Sequence, residues 1–357
     1  MIEGPPVAAT SAAPATPQAL LEIPTWKGRP GWEFTDLSGF DMAAYEAAPA
    51  GRTPTAEALW DLSTGALPDG VSVSVTDSET VVTVAANVAV DGPIALTTVA
   101  PAGGLVNQRT RVVLEAGAQA EVWEQFLAEG DAALNVVTEL TVGDNATLRY
   151  VCGQNLPAEA YIFGDQRAQV SRDATLDWVA LGFGGRSGHV RMSTRLVGQG
   201  ASARVTGAYA TQGGQHVDFD TTQEHAAENT VSDLAFRGVL AGRSTAVWKG
   251  NIIVDPGAQK TDAFQESRNL LLSKRAHADA IPGLEIQAND VRCTHAAAVA
   301  QVDPEQLFYL RSRGLPESEA KRLVIEGFLE ALVERFEEGQ VREILSGALE
   351  SRLEKIL

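Results

Sequence analysis

The sequence predicts a mainly β protein: a right-handed parallel β-helix, flanked by a small N-terminal helical or irregular region and by C-terminal helices. Three observations carry this. Ala118, Ala146, Ala174, Ala201, Asn229 and Ala258 follow one another at spacings of 28, 28, 27, 28 and 29 residues, each in a small-residue or Asp/Asn turn entered by an apolar stretch. Runs such as Val71-Ser72-Val73-Ser74-Val75 and Val81-Val82-Thr83-Val84 show the period-two pattern of half-buried strands. After Asp303 the apolar spacing becomes helical. A fixed period of this length marks a solenoid, in which each unit buries its apolar face only against its neighbours.

The elements follow in order. Residues 1–17 form an Ala/Pro/Thr-rich, low-complexity leader without the basic start and unbroken apolar core of a signal peptide. Residues 18–70 mix Trp26, Trp32, Trp60 and Leu62 with Pro and Gly and read as a small cap, with 41–47 and 55–62 as short helices. Residues 71–302 form the coil. A 28-residue unit at roughly 3.3 Å per residue winds once around a flattened coil, with successive windings roughly 4.8 Å apart and paired in parallel register. The crossover rule makes the winding right-handed, and the span holds about eight windings.

Residues 303–357 form the helical end. Ala320, Leu323, Val324, Phe328, Leu332 and Phe336 fall at helical spacing behind Pro316, Glu317 and Glu319, and a second segment runs through Ile344, Leu345, Ala348, Leu349, Leu353 and Ile356. Two helices are therefore expected. They either pack on the coil as a cap or share an apolar face with a partner protein.

Composition narrows the function. A net charge of -18 with no basic block argues against a nucleic-acid groove or an anionic membrane surface. No run reaches the roughly 20 apolar residues of a membrane span. Cys152 and Cys293 lack the spacing of a disulfide framework, which fits a reducing, cytoplasmic setting. No GxxxxGK[ST] cradle occurs, so nucleotide hydrolysis by this chain alone is not expected. The glycines between Gly182 and Gly188 lack the strand, GxGxxG and helix order of a dinucleotide fingerprint and read as turn chemistry.

Two constellations stand out. His216, Asp218 and Asp220 alternate with Val217 and Phe219, so the polar three share one strand face, read as a solvated one. A carbohydrate-active β-helix enzyme with paired carboxylates is the enzyme-class alternative. Cys293 and His295, two apart near the end of the coil, project to one side and could contact one soft or borderline metal ion. Two residues cannot complete a tetrahedral site, so further ligands would come from elsewhere, including another chain. A parallel coil also ends in a strand edge that must be capped or paired. An edge-to-edge partner would bring its own side chains to these two.

The run 215–314 resembles the SufB/SufD family of iron-sulfur cluster assembly proteins. The resemblance rests on Lys249-Gly250-Asn251-Ile252-Ile253-Val254, Ala258-Gln259-Lys260-Thr261-Asp262-Ala263, Asn269-Leu270-Leu271-Leu272-Ser273, Pro282-Gly283-Leu284-Glu285-Ile286, Asp290-Val291-Arg292-Cys293-Thr294-His295 and Phe308-Tyr309-Leu310-Arg311-Ser312-Arg313-Gly314. Gly31-Trp32-Glu33-Phe34-Thr35-Asp36-Leu37 is similar to the family's N-terminal signature. Within the family the chain is most like SufD: Ala276 stands where SufB carries a reactive cysteine, and His295 where SufD carries the histidine of its Cys-Ser/Thr-His-Gly-Ala-Thr motif. Ala296, Ala297 and Ala298 depart from that motif.

The resemblance implies a noncatalytic scaffold subunit of a SufB-SufC-SufD complex. His295 is then the candidate ligand for a transient nascent iron-sulfur cluster or iron shared with SufB, and Cys293 a second candidate, with no cofactor tightly bound in the isolated chain. SufC would supply ATP hydrolysis and dock on the C-terminal helices, with Phe308, Tyr309, Arg311, Arg313, Phe328 and Leu332 as partner-binding residues. A self-pairing interaction module, homodimeric through the same edge, is the other alternative.

Overall fold

Ten-residue strands separated by short corners leave the chain one economical way to satisfy its backbone: each winding hydrogen-bonds to the windings before and after it. The computed structural model, which describes residues 21–23, 29–35, 37, 39–55, 57–336 and 339–356, shows this arrangement. The leader and Trp26 lie outside the described residues. The chain runs through β1 (Glu46–Ala47), β2 (Val71–Val75), β3 (Glu79–Val84), β4 (Ala89–Ala100), β5 (Gly104–Leu114) and β6 (Gln119–Ala128). Then come β7 (Ala133–Val142), β8 (Thr147–Leu156), β9 (Tyr161–Val170), β10 (Thr175–Gly184), β11 (Ser187–Leu196) and β12 (Ser202–Thr211). The coil closes with β13 (His216–His225), β14 (Val231–Leu240), β15 (Thr245–Val254), β16 (Asp262–Leu271), β17 (His277–Ile286) and β18 (Arg292–Gln301).

Odd strands stack in one sheet, from β17 back to β3 and β2, with β1 beside β5; even strands from β18 back to β4 form the other. From β3 onward every neighbour is parallel, and between β5 and β18 the ladders run without a shift. The hairpin of β2 and β3 is antiparallel, an exception to the expected pairing. The sequence marks are corner residues that fill the interior: Ala118, Ala146, Ala174, Ala201 and Ala258 are all buried. Asn229 is different. It is exposed at φ 56, and Thr230 takes the inward place, next to the ladder of Ser202 and Val231. The corner before β13 uses residues 212–215 where that before β11 uses 185–186, which shifts the phase of the repeat. At the tighter corner Gly184 has φ +73, and a Cβ there would lie 1.9 Å from the Leu156 carbonyl oxygen, so the glycines are turn chemistry as expected.

Between the sheets lies an interior of stacked side chains, including fully buried Trp178, Tyr209, Phe236 and Trp248. It is not uniformly apolar. Glu124 accepts from the hydroxyls of Thr110 (2.5 Å) and Tyr150, and burial raises its carboxyl pKa. Burial likewise pushes the Cys152 thiol up to about 12.

Three helices follow where two were expected: α1 (Pro304–Ser312), α2 (Glu317–Val333) and α3 (Gln340–Ile356). α1 is set by local chemistry, with Pro304 in its first turn and the Asp303 carboxylate accepting from Glu305 N at 2.9 Å. It buries no residue, so it has no apolar stripe for a periodicity to show. α2 and α3 lie along the flank of the even sheet. Ile325, Leu329, Leu332, Leu345, Leu349 and Leu353 pack with Val179, Leu181, Phe183, Ala208 and Val239, each such side chain contributing about 1.5–3 kcal/mol of burial. Arg352 is buried with them, donates to the Ala210 carbonyl and Gln215, and is held by burial down to about 10. The expected N-terminal helices are absent: 41–47 gives the 3-10 turn Met42–Ala44 and strand β1, and 57–62 has no helix. There Leu59 N donates to Gln125 Oε1 and Trp60 meets Trp123 edge-on at 4.9 Å, so bonds to the coil replace helical ones.

His225 yields a prediction. Its two ring nitrogens face Thr230 Oγ1 and Ser232 Oγ, both at 2.8 Å, and burial lowers its pKa to about 4. The unfolded chain binds a proton below about pH 6.5 that the folded one refuses, so stability is present above that pH and falls toward pH 4, by at most about 1.4 kcal/mol per unit. Urea midpoints of wild type and His225→Gln are expected to converge as pH falls from 7 to 4.5; parallel curves would remove His225 from the pH dependence.

Candidate functional site

Strands β17 and β18 are the last of their sheets, so each carries one unpaired edge. The ladder to β16 sets Cys293 over Ala263, His295 over Gln265 and Val299 over Asn269. These β16 residues are buried and point into the coil. Cys293, His295 and Val299 continue the same inward columns, but among the described residues no further winding covers them. Cys293 is half-buried against Ile252, Val254, Ala263 and Ala288, His295 is exposed, and Val299 is 43% exposed. Cys293 and His295 thus sit on one side of one strand.

Burial, with the Asp262 carboxylate nearby, raises the Cys293 thiol pKa, so the group is protonated at neutral pH and must lose a proton to bind metal. Among the described residues no group of three His, Cys, Asp or Glu side chains could hold a metal ion. His295 and Cys293 can therefore supply part of a coordination sphere and not a whole one. Around them the terminus is apolar: Ile281, Leu284 and Ile286 of β17 are 39%, 36% and 42% exposed. Ala276 is buried at the corner before β17.

The other predicted residues lie on the helices. Phe308 and Tyr309 are 74% and 57% exposed, Arg313 lies over the Tyr309 ring at 5.2 Å, and Arg311 pairs with Glu317 at 3.6 Å. A groove of about 690 Å³ between α1 and α2 is lined by Tyr309, Leu310, Leu323, Val324 and Phe328, with Leu270 of β16 also lining it. Phe328 is half-buried beneath Arg237, whose guanidinium also donates to the Phe328 carbonyl at 2.8 Å. Leu332 faces the other way. It is buried against the coil, because an amphipathic helix has one apolar stripe and α2 uses it on the even sheet.

The face carrying His216, Asp218 and Asp220 is not solvated as expected. Val217 and Phe219 do point inward, but the N-terminal segment covers the polar side. Thr35 Oγ1 donates to Asp218 Oδ2 at 2.6 Å, His189 Nδ1 lies 2.9 Å from the same oxygen, and Trp32 stacks on His189 at 4.2 Å. Asp220 pairs with Lys249 at 3.5 Å, and burial raises its pKa. Asp218 is therefore the anchor of a strap and not half of an open carboxylate pair. No local pattern signals that Thr35, His189 and Asp218 meet, beyond the Gly31 to Leu37 signature itself. Asp218→Asn is expected to lower stability by about 1–3 kcal/mol and to speed proteolysis within 29–40; an unchanged urea midpoint and digestion rate would contradict this anchoring.

Residues 97–328 match the family model described as SUF system FeS cluster assembly, SufBD core domain. The chain is 33% identical over 287 residues to an iron-sulfur cluster assembly SufBD family protein of Mycobacterium tuberculosis, covering 78% of this chain and 72% of that one. It is 35% identical over 225 residues to the iron-sulfur cluster assembly protein SufD of Bacillus subtilis, covering 62% and 51%. With SufD of Escherichia coli the identity is 31% over 241 residues, covering 67% and 57%.

Proposed function

The chain belongs to the SufB/SufD family of iron-sulfur cluster assembly proteins and is most like SufD, and from that premise we propose that it is a noncatalytic scaffold subunit working at the open end of its coil. One observation carries the reading: the last winding sets exposed His295 and half-buried Cys293 beside an unpaired, apolar double edge. In the proposed complex a SufB-like coil end pairs with β17 and β18, and its ligands complete the sphere that His295 and Cys293 begin. The cluster or iron is cargo, held there transiently. The imidazole of His295 offers a ring-nitrogen lone pair to metal, and the Cys293 thiol contributes only if metal displaces its proton.

The two ends of the coil support this choice. At the N-terminal end β4 is broken by a bulge between Ala89 and Pro93, and β2 turns back on β3. Bulges and prolines discourage edge pairing. At the C-terminal end both strands run ten residues in register. The same edge would accept a second copy of the chain when SufB is absent.

A SufC-like ATPase docks, on this reading, at α1 and the groove beside α2, through Phe308, Tyr309, Arg311, Arg313 and the open side of Phe328. Hydrolysis is left to that partner, since the sequence has no Walker A cradle. Among the described residues no helix is long and apolar enough to cross a membrane. A cytoplasmic setting accords with the unpaired Cys152 and Cys293.

Co-expression with SufB-like and SufC-like homologues is expected to yield a complex; no association with either would overturn the proposal. Ile281→Lys with Val299→Lys should remove the SufB-like subunit, and Phe308→Ala with Tyr309→Ala should weaken SufC-like binding about tenfold. His295→Ala should fold normally by circular dichroism yet leave the complex with severalfold less iron and sulfide. Unchanged iron and sulfide would exclude His295 from the site.

A further inference from the structure

Most cations of this coil are matched by carboxylates on adjacent windings. Arg149 lies between Glu121 (3.2 Å) and Asp177 (3.0 Å), Arg195 pairs with Glu224 (2.7 Å), and Lys249 with Asp220 (3.5 Å). Arg109 and Arg186 lack an ion pair among the described residues, Arg186 lying over the Tyr161 ring, but in one place three unmatched cations gather. On the stacked corners before β15 and β17, Arg243, Lys274 and Arg275 are all exposed, and among the described residues none has a carboxylate within 4.0 Å. His277, next in the chain, is taken by Asp279 at 3.3 Å. Like charges gathered without counterions repel one another, in a chain whose net charge of -18 leaves carboxylates in plenty.

The corners are held rigidly. His277 N donates to the Ser244 carbonyl at 3.1 Å, Leu272 N to Leu240 at 2.8 Å and Ser273 Oγ to Gly242. Ala276 N is taken by Ser273 Oγ at 3.2 Å, and Ala276 itself is buried, so the corner is fixed with its cations facing solvent. Beside it opens a cleft of about 210 Å³ between the corner and the helices, lined by Leu271, Leu272, Leu307 and Ile325 with Lys274 and Lys321 also lining it. Lys321 is already paired with Glu317 at 2.8 Å.

We propose that this corner and cleft form a docking site for an acidic peptide segment of a partner protein, its carboxylates on Arg243, Lys274 and Arg275 and one apolar side chain in the cleft. The surface lies at the corner, next to the end of β18, whose Gln301 also lines the cleft, and not along the open β17 and β18 edge. Its cations are spread over two windings beside an apolar recess, which suits an extended chain of alternating character. A small phosphate needs donors converging on one point, and here the Ala276 amide is already taken. Nucleic acid, a longer polyanion, would carry its phosphates beyond the three cations onto the carboxylates of a chain with net charge -18, which repel them. A local contact survives that repulsion because charges more than about 8–10 Å away are screened at ordinary salt.

The test is fluorescence anisotropy with a labelled short peptide of repeated Glu-Glu-Leu units, using the full chain. Binding is expected, weakening as salt rises, with a repeated Gln-Gln-Leu peptide failing to bind. Arg243→Glu with Lys274→Glu and Arg275→Glu should cost at least about tenfold in affinity, and the milder Lys274→Gln with Arg275→Gln a smaller part of it. Both variants should keep the wild-type unfolding midpoint, and Arg172→Gln at a remote corner should bind as wild type. Wild-type affinity in the charge-reversed variant would overturn the proposal. So would equal binding of the neutral peptide, or full displacement by millimolar inorganic phosphate, which would mark an adventitious small-anion site.

Discussion

The hydrogen-bonded ladder between successive windings is the constraint on which the rest of this molecule depends. Because each strand pairs with the strand two places on, the backbone of every inner winding is satisfied by its neighbours, and any residue type that fits the interior column is tolerated there. That tolerance explains how Glu124, Tyr150 and Cys152 share an interior with Trp178. It also makes the ends unlike the middle. An inner column becomes a surface wherever the winding stops, with no change in the residues needed to expose it.

The two ends solve this differently, and position decides how. At the N-terminal end the hairpin and the Pro93 bulge interrupt regular pairing. The C-terminal helices could have plugged the other end, but their apolar stripes match the flank of the even sheet, where Val179, Leu181, Phe183 and Val239 point outward. Polar bonds hold them there, from Arg237 to the Phe328 carbonyl and from Arg352 to the Ala210 carbonyl. The terminus is open because the helices are committed elsewhere. The N-terminal strap is similarly committed to the odd sheet through Trp32 and Thr35.

What the sequence disclosed, and what it hid, follow from the range of the interactions. Strand alternation and the winding period are set by neighbours along the chain, and so is the shared side of Cys293 and His295; all three were legible. Asn229 was misplaced because one corner lengthens, and a period read from small residues cannot see which of two adjacent residues turns inward. α1 was missed for want of an apolar stripe. The burial of Asp218 depends on Thr35 and His189, 183 and 29 residues away, and no local pattern encodes that meeting. Leu332 shows a further limit. The stripe on α2 has the same spacing whether it meets its own coil or a partner.

The groove and the open edge are closer neighbours than their sequence positions suggest. Leu270 lines the groove between α1 and α2, and its strand β16 pairs directly with β18, Leu270 lying beside Ala300 and Gln265 beside His295. One ladder step separates a surface that the proposed function gives to the ATPase from the column that it gives to the cargo. Close-packed interiors move between discrete arrangements and do not deform smoothly. Yet α2 and α3 themselves pack on β12 and β14, inner strands of the coil, so a shift of the terminal winding would leave their seat in place. The inner windings, bonded on both sides, resist such a shift, whereas β17 and β18 are bonded on one side only. The element best placed to move is the one carrying His295, and it owes that freedom to being last.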